Sequence, residues 1–312
     1  MIIGKQWLKL KRILHIISDT EYRKAKIRYL PHVNKEDCQT KINNFKDIGI
    51  TKTSRKPRLI VSLTSFPERM YDIQFTIYSL LNQSIKPDEV ILWLAEEQFP
   101  NKEADIPQTV INLQNNGLTI KWCKDLRSYK KLIPTLKDYP DDIIITADDD
   151  IFYPSNWLDL LYQSYLQDPK AVHCHRGHKI RFTATGEVAP YKRWKHRISH
   201  NTPSFQNFFT GAGGVLYPPH CLHHDVANVE LFKELAPNAD DIWFWAMAVL
   251  AETPIHVVKN NLKELIYVNP ERELKLTSEL TLAMINTVTN QNDVQLGKII
   301  KHYPQLMDYI NK

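Results

Sequence analysis

The sequence predicts an α/β fold in which a mostly parallel β-sheet is flanked by helices, with helical extensions at the N- and C-terminal ends. From residue 58 onward, short apolar runs typical of buried strands alternate with segments of helical periodicity. Strand, helix and strand follow one another within residues 58–94, and this order implies parallel pairing of the two strands. With 312 residues, 43% of them hydrophobic, the chain can bury a large core, which excludes disordered and collagen-like classes.

The first predicted strand is Arg58–Leu63, which contains the apolar run Leu-Ile-Val-Ser-Leu. Arg69–Gln83 has apolar residues at helical spacing and ends shortly before a proline, so it predicts a helix. Val90–Leu94 is a second apolar run and predicts the strand that pairs with the first. A third strand, Thr119–Cys123, follows the Asn-Asn-Gly turn at residues 115–117.

A short helix then leads to a fourth strand, Asp142–Thr146, whose three central isoleucines indicate burial on both faces of the sheet. A helix at Asn156–Gln167 and a strand at Ala171–His175 follow. The C-terminal third is rich in helix, and its clearest helices are Asp241–Ala251 and Ser278–Asn286.

These elements divide the chain into three parts. Residues 58–260 hold the alternating strands and helices and form the central domain. Residues 1–57 combine a basic amphipathic helix with a polar linker at 31–57, and residues 261–312 form a helical C-terminal extension.

The N-terminal segment is strongly basic. Residues 1–30 carry eight basic and two acidic residues, and apolar residues recur at helical spacing within 1–17. A helix of this kind can lie on an anionic membrane surface, and it can equally pack against the rest of the protein. Peripheral membrane contact through residues 1–20 and packing on the main domain or on a partner subunit therefore stay open as alternatives.

A second basic stretch, residues 176–200, has seven basic residues and one acidic residue. No nucleic-acid recognition motif accompanies it, so we expect no nucleic acid as the partner. An anionic small molecule such as a sugar nucleotide is compatible with this charge, and so is a solvated surface without a ligand. The four cysteines form no CxxC pair, which indicates a reducing compartment. The sequence shows neither a signal peptide nor a transmembrane-length apolar stretch, so we expect a cytoplasmic protein that can lie on the inner face of the cytoplasmic membrane.

The most informative feature is the acidic triplet Asp148, Asp149 and Asp150, which directly follows the fourth strand. Ligands of open α/β sheets bind at the carboxyl ends of the strands. Three adjacent carboxylates repel one another unless a cation or hydrogen bonds compensate their charge, and oxygen ligands suit Mg²⁺ or Mn²⁺. The triplet therefore predicts a metal site, although aspartates at strand ends also cap turns.

Two further features lie downstream. Asp240 and Asp241 begin an aromatic-rich helix, where an acid serves either as an N-terminal cap or as a general base. The segment Gly211, Ala212, Gly213 and Gly214 contains three of the nine glycines and allows close approach of the backbone to a ligand.

The order of these features resembles the GT-A nucleotide-sugar glycosyltransferases, particularly the inverting family-2-like enzymes of bacterial surface-polysaccharide synthesis. The resemblance covers about residues 58–260 and depends on the Val-Ser-Leu-Thr-Ser-Phe-Pro-Glu-Arg segment at 61–69, the triplet as a DxD motif, the glycine segment and the acid pair. It implies a Rossmann-like GT-A sheet.

The resemblance also implies residue roles. Asp148 and Asp150 would be the outer DxD acids that bind the ribose and the Mn²⁺ or Mg²⁺ ion on the donor diphosphate, with Asp149 between them. The nucleotide pocket would be lined by Thr64, Glu96 and Asp125, and the donor phosphates contacted by Arg69 and Lys131.

Asp241, with Asp240 as the close alternative, would take the proton from the acceptor hydroxyl, and the glycine segment would face donor and acceptor. His256 is a candidate for a further metal ligand. The pair reads Asp-Asp where the family commonly has Glu-Asp, so the identity of the base stays open. Two histidine-rich patches, at 173–178 and 220–224, match no zinc spacing, and we expect structural histidines there.

The implied activity is that of a metal-dependent, inverting and non-processive glycosyltransferase. It would move a sugar from a nucleoside-diphosphate donor, most of all a UDP-sugar, to a glycan or lipid-linked acceptor in bacterial capsule or lipopolysaccharide synthesis. One alternative is a nucleotidyltransferase or phosphotransferase, although the sequence has no glycine-rich phosphate loop. Another is a non-catalytic glycan-binding scaffold.

Overall fold

A computed structural model gives the structure of residues 2–13, 16, 18, 21–22, 25, 29–52, 55–199, 202–262, 264–273 and 290–312. The strands are β1 (Leu59–Thr64), β2 (Glu89–Ala95), β3 (Leu118–Cys123), β4 (Ile143–Ala147), β5 (Ile151–Phe152), β6 (Val172–Cys174), β7 (Gly177–Lys179), β8 (Lys195–Ile198), β9 (Asn207–Phe209), β10 (Val215–Tyr217), β11 (Ile255–Val257) and β12 (Ile266–Tyr267). The α-helices are α1 (Ile2–Ile13), α2 (Lys35–Asn43), α3 (Met70–Leu81), α4 (Gln108–Ile111), α5 (Ile133–Asp138), α6 (Trp157–Gln167), α7 (Val229–Leu235), α8 (Asp240–Leu250), α9 (Gln291–His302) and α10 (Leu306–Ile310).

Seven strands form the main sheet in the order β11-β6-β10-β4-β1-β2-β3. The four strands from β4 to β3 are parallel, with Val61 of β1 paired to Val90 on one side and Ile145 on the other. Strand β10 runs antiparallel to both β4 and β6, and β11 is parallel to β6. The predicted α/β fold with a mostly parallel sheet is therefore confirmed.

Two apolar cores cover the two faces of this sheet. In β4, Ile143 and Ile145 pack with the core beside α3, whereas Ile144 packs with the core around α8. Successive side chains of a strand point to opposite faces, which explains why the isoleucine run is apolar throughout. Helix α8 is buried on nearly all sides, and α9 and α10 contribute to the same core.

The predicted linker at 31–57 is wrong in part, because Lys35–Asn43 forms helix α2. The side chain of Asn34 caps it by accepting a hydrogen bond from the Asp37 N–H, 3.2 Å away. Cys38 is buried with Phe75 of α3 in a small separate core. A capped helix with one short buried face has too little apolar periodicity to be detected in the sequence.

At the N-terminus, the predicted helix is present as α1, and Trp7 and Leu10 are 58% and 49% exposed. The predicted helix at 278–286 lies outside the described residues. In the part of the chain that the structure describes, no helix combines the length and the apolar character that crossing a membrane requires.

Candidate active site

The acidic triplet follows β4 and lies beside the loop that follows β1. Because these strands are parallel neighbours, Ser65 after β1 lies beside Asp149 after β4, and its hydroxyl donates to Asp149 Oδ2 at 2.5 Å. Thr76 of α3 donates to the Asp149 carbonyl at 3.0 Å and holds the backbone of the triplet against the helix. The triplet is thus fixed at the edge of the sheet where ligands of α/β proteins bind.

Arg69 forms ion pairs with two acids of the triplet, Asp149 and Asp150. Its Nη1 lies 2.6 Å from Asp149 Oδ1 and 2.7 Å from Asp150 Oδ2. Burial raises the pKa of Asp149, while the guanidinium of Arg69 opposes that rise. Burial by itself would lower the pKa of Arg69, but the surrounding carboxylates raise it, so Arg69 stays charged.

Lys131 connects the triplet to the start of α8. Its Nζ lies 2.9 Å from Asp148 Oδ1 and 3.0 Å from Asp240 Oδ2, and only 7% of its side chain is exposed. Burial would lower the pKa of this ammonium, but Asp148, Asp240 and Asp241 together raise it well above the ordinary value. Lys131 is therefore a charged, buried link between the two acidic groups.

Asp241 points its carboxylate away from its own helix. Both carboxylate oxygens accept the backbone N–H of Gly211 at 3.0 Å. Capping of α8 therefore does not explain why an acid stands at this position. Burial and the neighbouring carboxylate of Asp240 raise the pKa of Asp241 to about 7, although Lys131 acts in the opposite direction. A carboxylate with this pKa suits general-base catalysis near neutral pH.

The glycine segment packs closely against these charged groups. A Cβ at Gly211 would lie 2.7 Å from Lys131 Nζ and 2.8 Å from Asp241 Oδ1. Gly214 has φ +89°, and a Cβ there would lie 2.4 Å from the Trp157 ring. Side chains at these positions would overlap the charged cluster or the core, which accounts for the glycines.

Two aromatic residues that the sequence did not single out support this arrangement. The Tyr153 hydroxyl accepts the Asp148 N–H at 2.8 Å and donates to the Ala212 carbonyl at 3.4 Å. The Trp157 indole N–H donates to the Gly213 carbonyl at 2.8 Å. In the sequence, Tyr153 and Trp157 are typical of ordinary core residues. Only their position shortly after the triplet could have indicated a role in the site.

The predicted nucleotide-pocket residues follow three neighbouring strands at the same edge of the sheet. Thr64 ends β1 and donates to the Trp93 carbonyl at 2.8 Å, while Glu96 is exposed just after β2. Asp125 follows β3 and accepts from Lys130 Nζ at 2.7 Å. Burial would raise the pKa of Asp125, but hydrogen bonds from Lys130 and a backbone N–H lower it.

His256 is not brought to the acidic triplet. It lies on β11, and β6 and β10 separate that strand from β4. Its ring centroid is 5.4 Å from that of His173. Its position offers no support for a shared metal with Asp150.

The other histidines of the first patch have structural partners. His173 is hydrogen-bonded to Ser164 Oγ at 2.9 Å, and His175 to the Trp157 carbonyl at 2.9 Å. In the second patch, His223, His224 and Asp225 form the one group of three among the described residues whose spacing could hold a metal ion. That group lies near α9, and Tyr303 donates to Asp225 Oδ2 at 2.6 Å.

Among the described residues, the acids of the site do not place three ligand atoms close enough to hold a metal ion by themselves, so a hard divalent cation here would also need oxygens from a bound phosphate. In the part of the chain that the structure describes, five carboxylates face two cationic side chains, Arg69 and Lys131. Together with burial, this surplus of negative charge raises the pKa of Asp241. The shortest contacts engage one oxygen each of Asp148 and Asp150, which leaves the second oxygen of each for a ligand. Carboxylate oxygens of this kind suit Mg²⁺ or Mn²⁺.

Neither a protein-family model nor a curated protein sequence matches the chain. Among solved structures, it is similar to S. aureus TarS 1–349 in complex with UDP, with 15% identity, 81% of this chain and 83% of that chain covered and a TM-score of 0.47. It is also similar to the mannosyltransferase PcManGT from Pyrobaculum calidifontis in complex with GDP-Man and Mn²⁺, with 13% identity, 88% and 90% covered and a TM-score of 0.42.

A third similar structure is CMP:2-keto-3-deoxy-manno-octonic acid synthetase complexed with CTP, with 13% identity, 66% of this chain and 93% of that chain covered and a TM-score of 0.38. At these identities the likeness concerns the fold alone, and TM-scores below 0.5 describe a distant one. The function proposed below therefore depends on the residues of the site.

Proposed function

We propose that this protein is a metal-dependent, inverting glycosyltransferase of the GT-A type. It transfers a sugar from a nucleoside-diphosphate donor to an acceptor hydroxyl. The observation that carries this proposal is the position of Lys131, whose ammonium joins Asp148 of the triplet to Asp240, beside Asp241. A donor-binding acid and a candidate base are thereby held at one end of the sheet.

Asp241 is the general base of the proposed reaction. With a pKa of about 7, a large fraction of this carboxylate is deprotonated near neutral pH, and it is more basic than an ordinary aspartate toward the proton of the acceptor hydroxyl. The Gly211 N–H fixes its orientation. Asp240 is the less suitable candidate because Lys131 already contacts one of its oxygens.

The triplet binds the donor. Asp148 and Asp150 would hold the divalent ion, which supplies neutralisation of the leaving diphosphate. Arg69 keeps Asp149 and Asp150 in place through its two short contacts. Thr64, Glu96 and Asp125 line the nucleotide side, because Thr64 is the last residue of β1 and the other two follow the adjacent strands β2 and β3.

The finer features of the proposal come from the motif resemblance and from the charge pattern. They are a UDP-sugar donor, a glycan or lipid-linked acceptor, one sugar transferred per encounter, and a role in bacterial surface-polysaccharide synthesis on the cytoplasmic side. Residues 58–260 would be the catalytic domain. The exposed Trp7 and Leu10 of α1 support peripheral contact with an anionic membrane.

Calorimetric titration tests the donor site. UDP, GDP and CMP are each titrated into the full chain with and without Mn²⁺. Tight binding of one diphosphate only in the presence of Mn²⁺ is the expected result and identifies the donor class. Binding of CMP without metal would contradict the role of the triplet, and no binding of any nucleotide would reject the proposed donor.

A further inference from the structure

A cavity of about 280 Å³ lies between α1 and the basic stretch that precedes the glycine segment. We infer that this cavity binds the acceptor through a phosphate group joined to an apolar chain, and that the hydroxyl which receives the sugar belongs to the group on the other side of that phosphate. The inference rests on the proposed function, since it names the acceptor class of the same site. Its volume is slightly below the range typical of small-molecule sites, roughly 300–1,000 Å³.

The charge of the cavity favours an anion. Lys9 of α1, Arg176 and Arg197 line it, and Glu264 is the one acid among the lining residues that the structure describes. Within the described ranges, neither Arg176 nor Arg197 forms an ion pair with a carboxylate. Two guanidinium groups without a carboxylate partner suit the fork-like recognition of a phosphate.

The remaining lining is mostly apolar. Leu8 of α1 and Leu265 face the cavity together with the rings of Tyr22 and Tyr267. A free phosphate would leave this surface without a partner, whereas a phosphate attached to an apolar chain would cover it. Trp7 and Leu10, which flank the lining residues Leu8 and Lys9 in the sequence of α1, are exposed.

The backbone that carries Arg197 is held in an unusual conformation. Arg197 has φ +54°, and its N–H donates to His178 Nδ1 at 3.0 Å. The pairing of β7 with β8 shifts register between Gly177 and Lys179, just after Arg176. Left-handed backbone is unfavourable for a residue with a side chain, and such strain is concentrated at ligand-binding positions.

A short path joins the cavity to the candidate base. The Arg176 carbonyl accepts the Thr210 N–H at 2.9 Å, and a Cβ on Gly213 would lie 2.6 Å from Arg176 Cβ. Gly211 in the same turn donates to Asp241. Arg176 therefore links the wall of the cavity to the turn that orients the candidate base.

Calorimetry with three small probes tests the inference on the full chain. Geranyl phosphate carries both the phosphate and an apolar chain, sn-glycerol 3-phosphate carries the phosphate alone, and geraniol carries the chain alone. We expect geranyl phosphate to bind and geraniol not to bind. Equal binding of both phosphates would reject the apolar chain and indicate a soluble polyol phosphate, and failure of both phosphates to bind would overturn the inference.

Variants identify the binding residues. Arg176→Gln and Arg197→Gln should each weaken geranyl phosphate binding about tenfold or more. Lys195→Gln is the matched control, because Lys195 is an exposed base on the same strand as Arg197 and does not line the cavity. If Arg176→Gln does not fold, Lys9→Gln on α1 provides the same test, with the same direction expected.

If Lys195→Gln and Arg197→Gln weaken geranyl phosphate binding equally, the affinity comes from the overall positive charge of the surface, and the proposed site is overturned. The nucleotide titration separates this inference from the proposed function. Geranyl phosphate binding without any nucleotide binding would reject the glycosyltransferase and leave an anion site. Nucleotide binding without geranyl phosphate binding would reject the acceptor site alone.

Discussion

Replacing Lys131 with methionine tests whether its charge sets the protonation of the candidate base. Methionine keeps the length and most of the apolar contact of the lysine stem and removes the ammonium. That ammonium lies 2.9 Å from Asp148 Oδ1 and 3.0 Å from Asp240 Oδ2. Its loss leaves the surrounding carboxylates without their closest positive charge.

The geometry at Gly211 gives the magnitude. The Cβ position built on Gly211 lies 2.7 Å from Lys131 Nζ and 2.8 Å from Asp241 Oδ1, so the two charged atoms are at most about 5.5 Å apart. At that separation and an effective dielectric constant of about 20, their attraction is about 3 kcal/mol, which corresponds to about two pKa units. Water that enters the site reduces this value, so we expect a rise of at least about one unit in the pKa of Asp241.

The pH dependence of kcat/KM measures this change. A base must be deprotonated to act, so activity of the unchanged protein should rise as the pH increases through about 7. In Lys131→Met the same rise should move to higher pH by one unit or more. Lys130→Met is the matched control, because Lys130 is equally buried and pairs with Asp125 instead of the acids of α8.

The two lysine variants together can refute the reasoning. A folded Lys131→Met protein whose acidic limb stays near pH 7 would show that Lys131 does not act on the base. Equal shifts in both variants would indicate a general change of charge. Removing one partner of a buried ion pair also costs about 3–5 kcal/mol of stability, so thermal unfolding must be recorded beside the kinetics.

Four further predictions concern the site and its surroundings. Asp241→Asn should retain nucleotide binding and lower transfer by about 100-fold or more, and normal turnover would move the base elsewhere. Asp150→Ala should remove the Mn²⁺-dependent part of donor affinity in calorimetry, and unchanged affinity would contradict the metal assignment. Gly214→Ala drives a methyl against a buried tryptophan, so it should lower the melting temperature more than Gly186→Ala, whose φ of +83° is similar but which has open space around it. Deleting residues 1–20 should weaken sedimentation with anionic vesicles and spare donor binding, and equal sedimentation would reject the membrane contact.

Much of the fold follows from local sequence. Continuous apolar runs are required of strands that are covered on both faces, so β1, β2 and β4 could be recognised within about one residue of their ends. Helix α2 was missed because its stability comes from a cap and from packing on α3. The position of β10 between β4 and β6 was also missed, because three apolar residues do not specify which distant strands they pair with.

The sequence by itself determined which chemical groups are available and that the acids of the triplet follow a buried strand. It also showed that a glycine-rich segment and the acid pair Asp240 and Asp241 lie downstream of the triplet. Only the tertiary structure decided that Lys131 joins Asp148 to Asp240, that Asp241 turns toward the Gly211 N–H, and that His256 lies on a distant strand. The reason is physical: burial and through-space distance set the pKa of a carboxylate and the strength of an ion pair, and separation along the chain fixes neither.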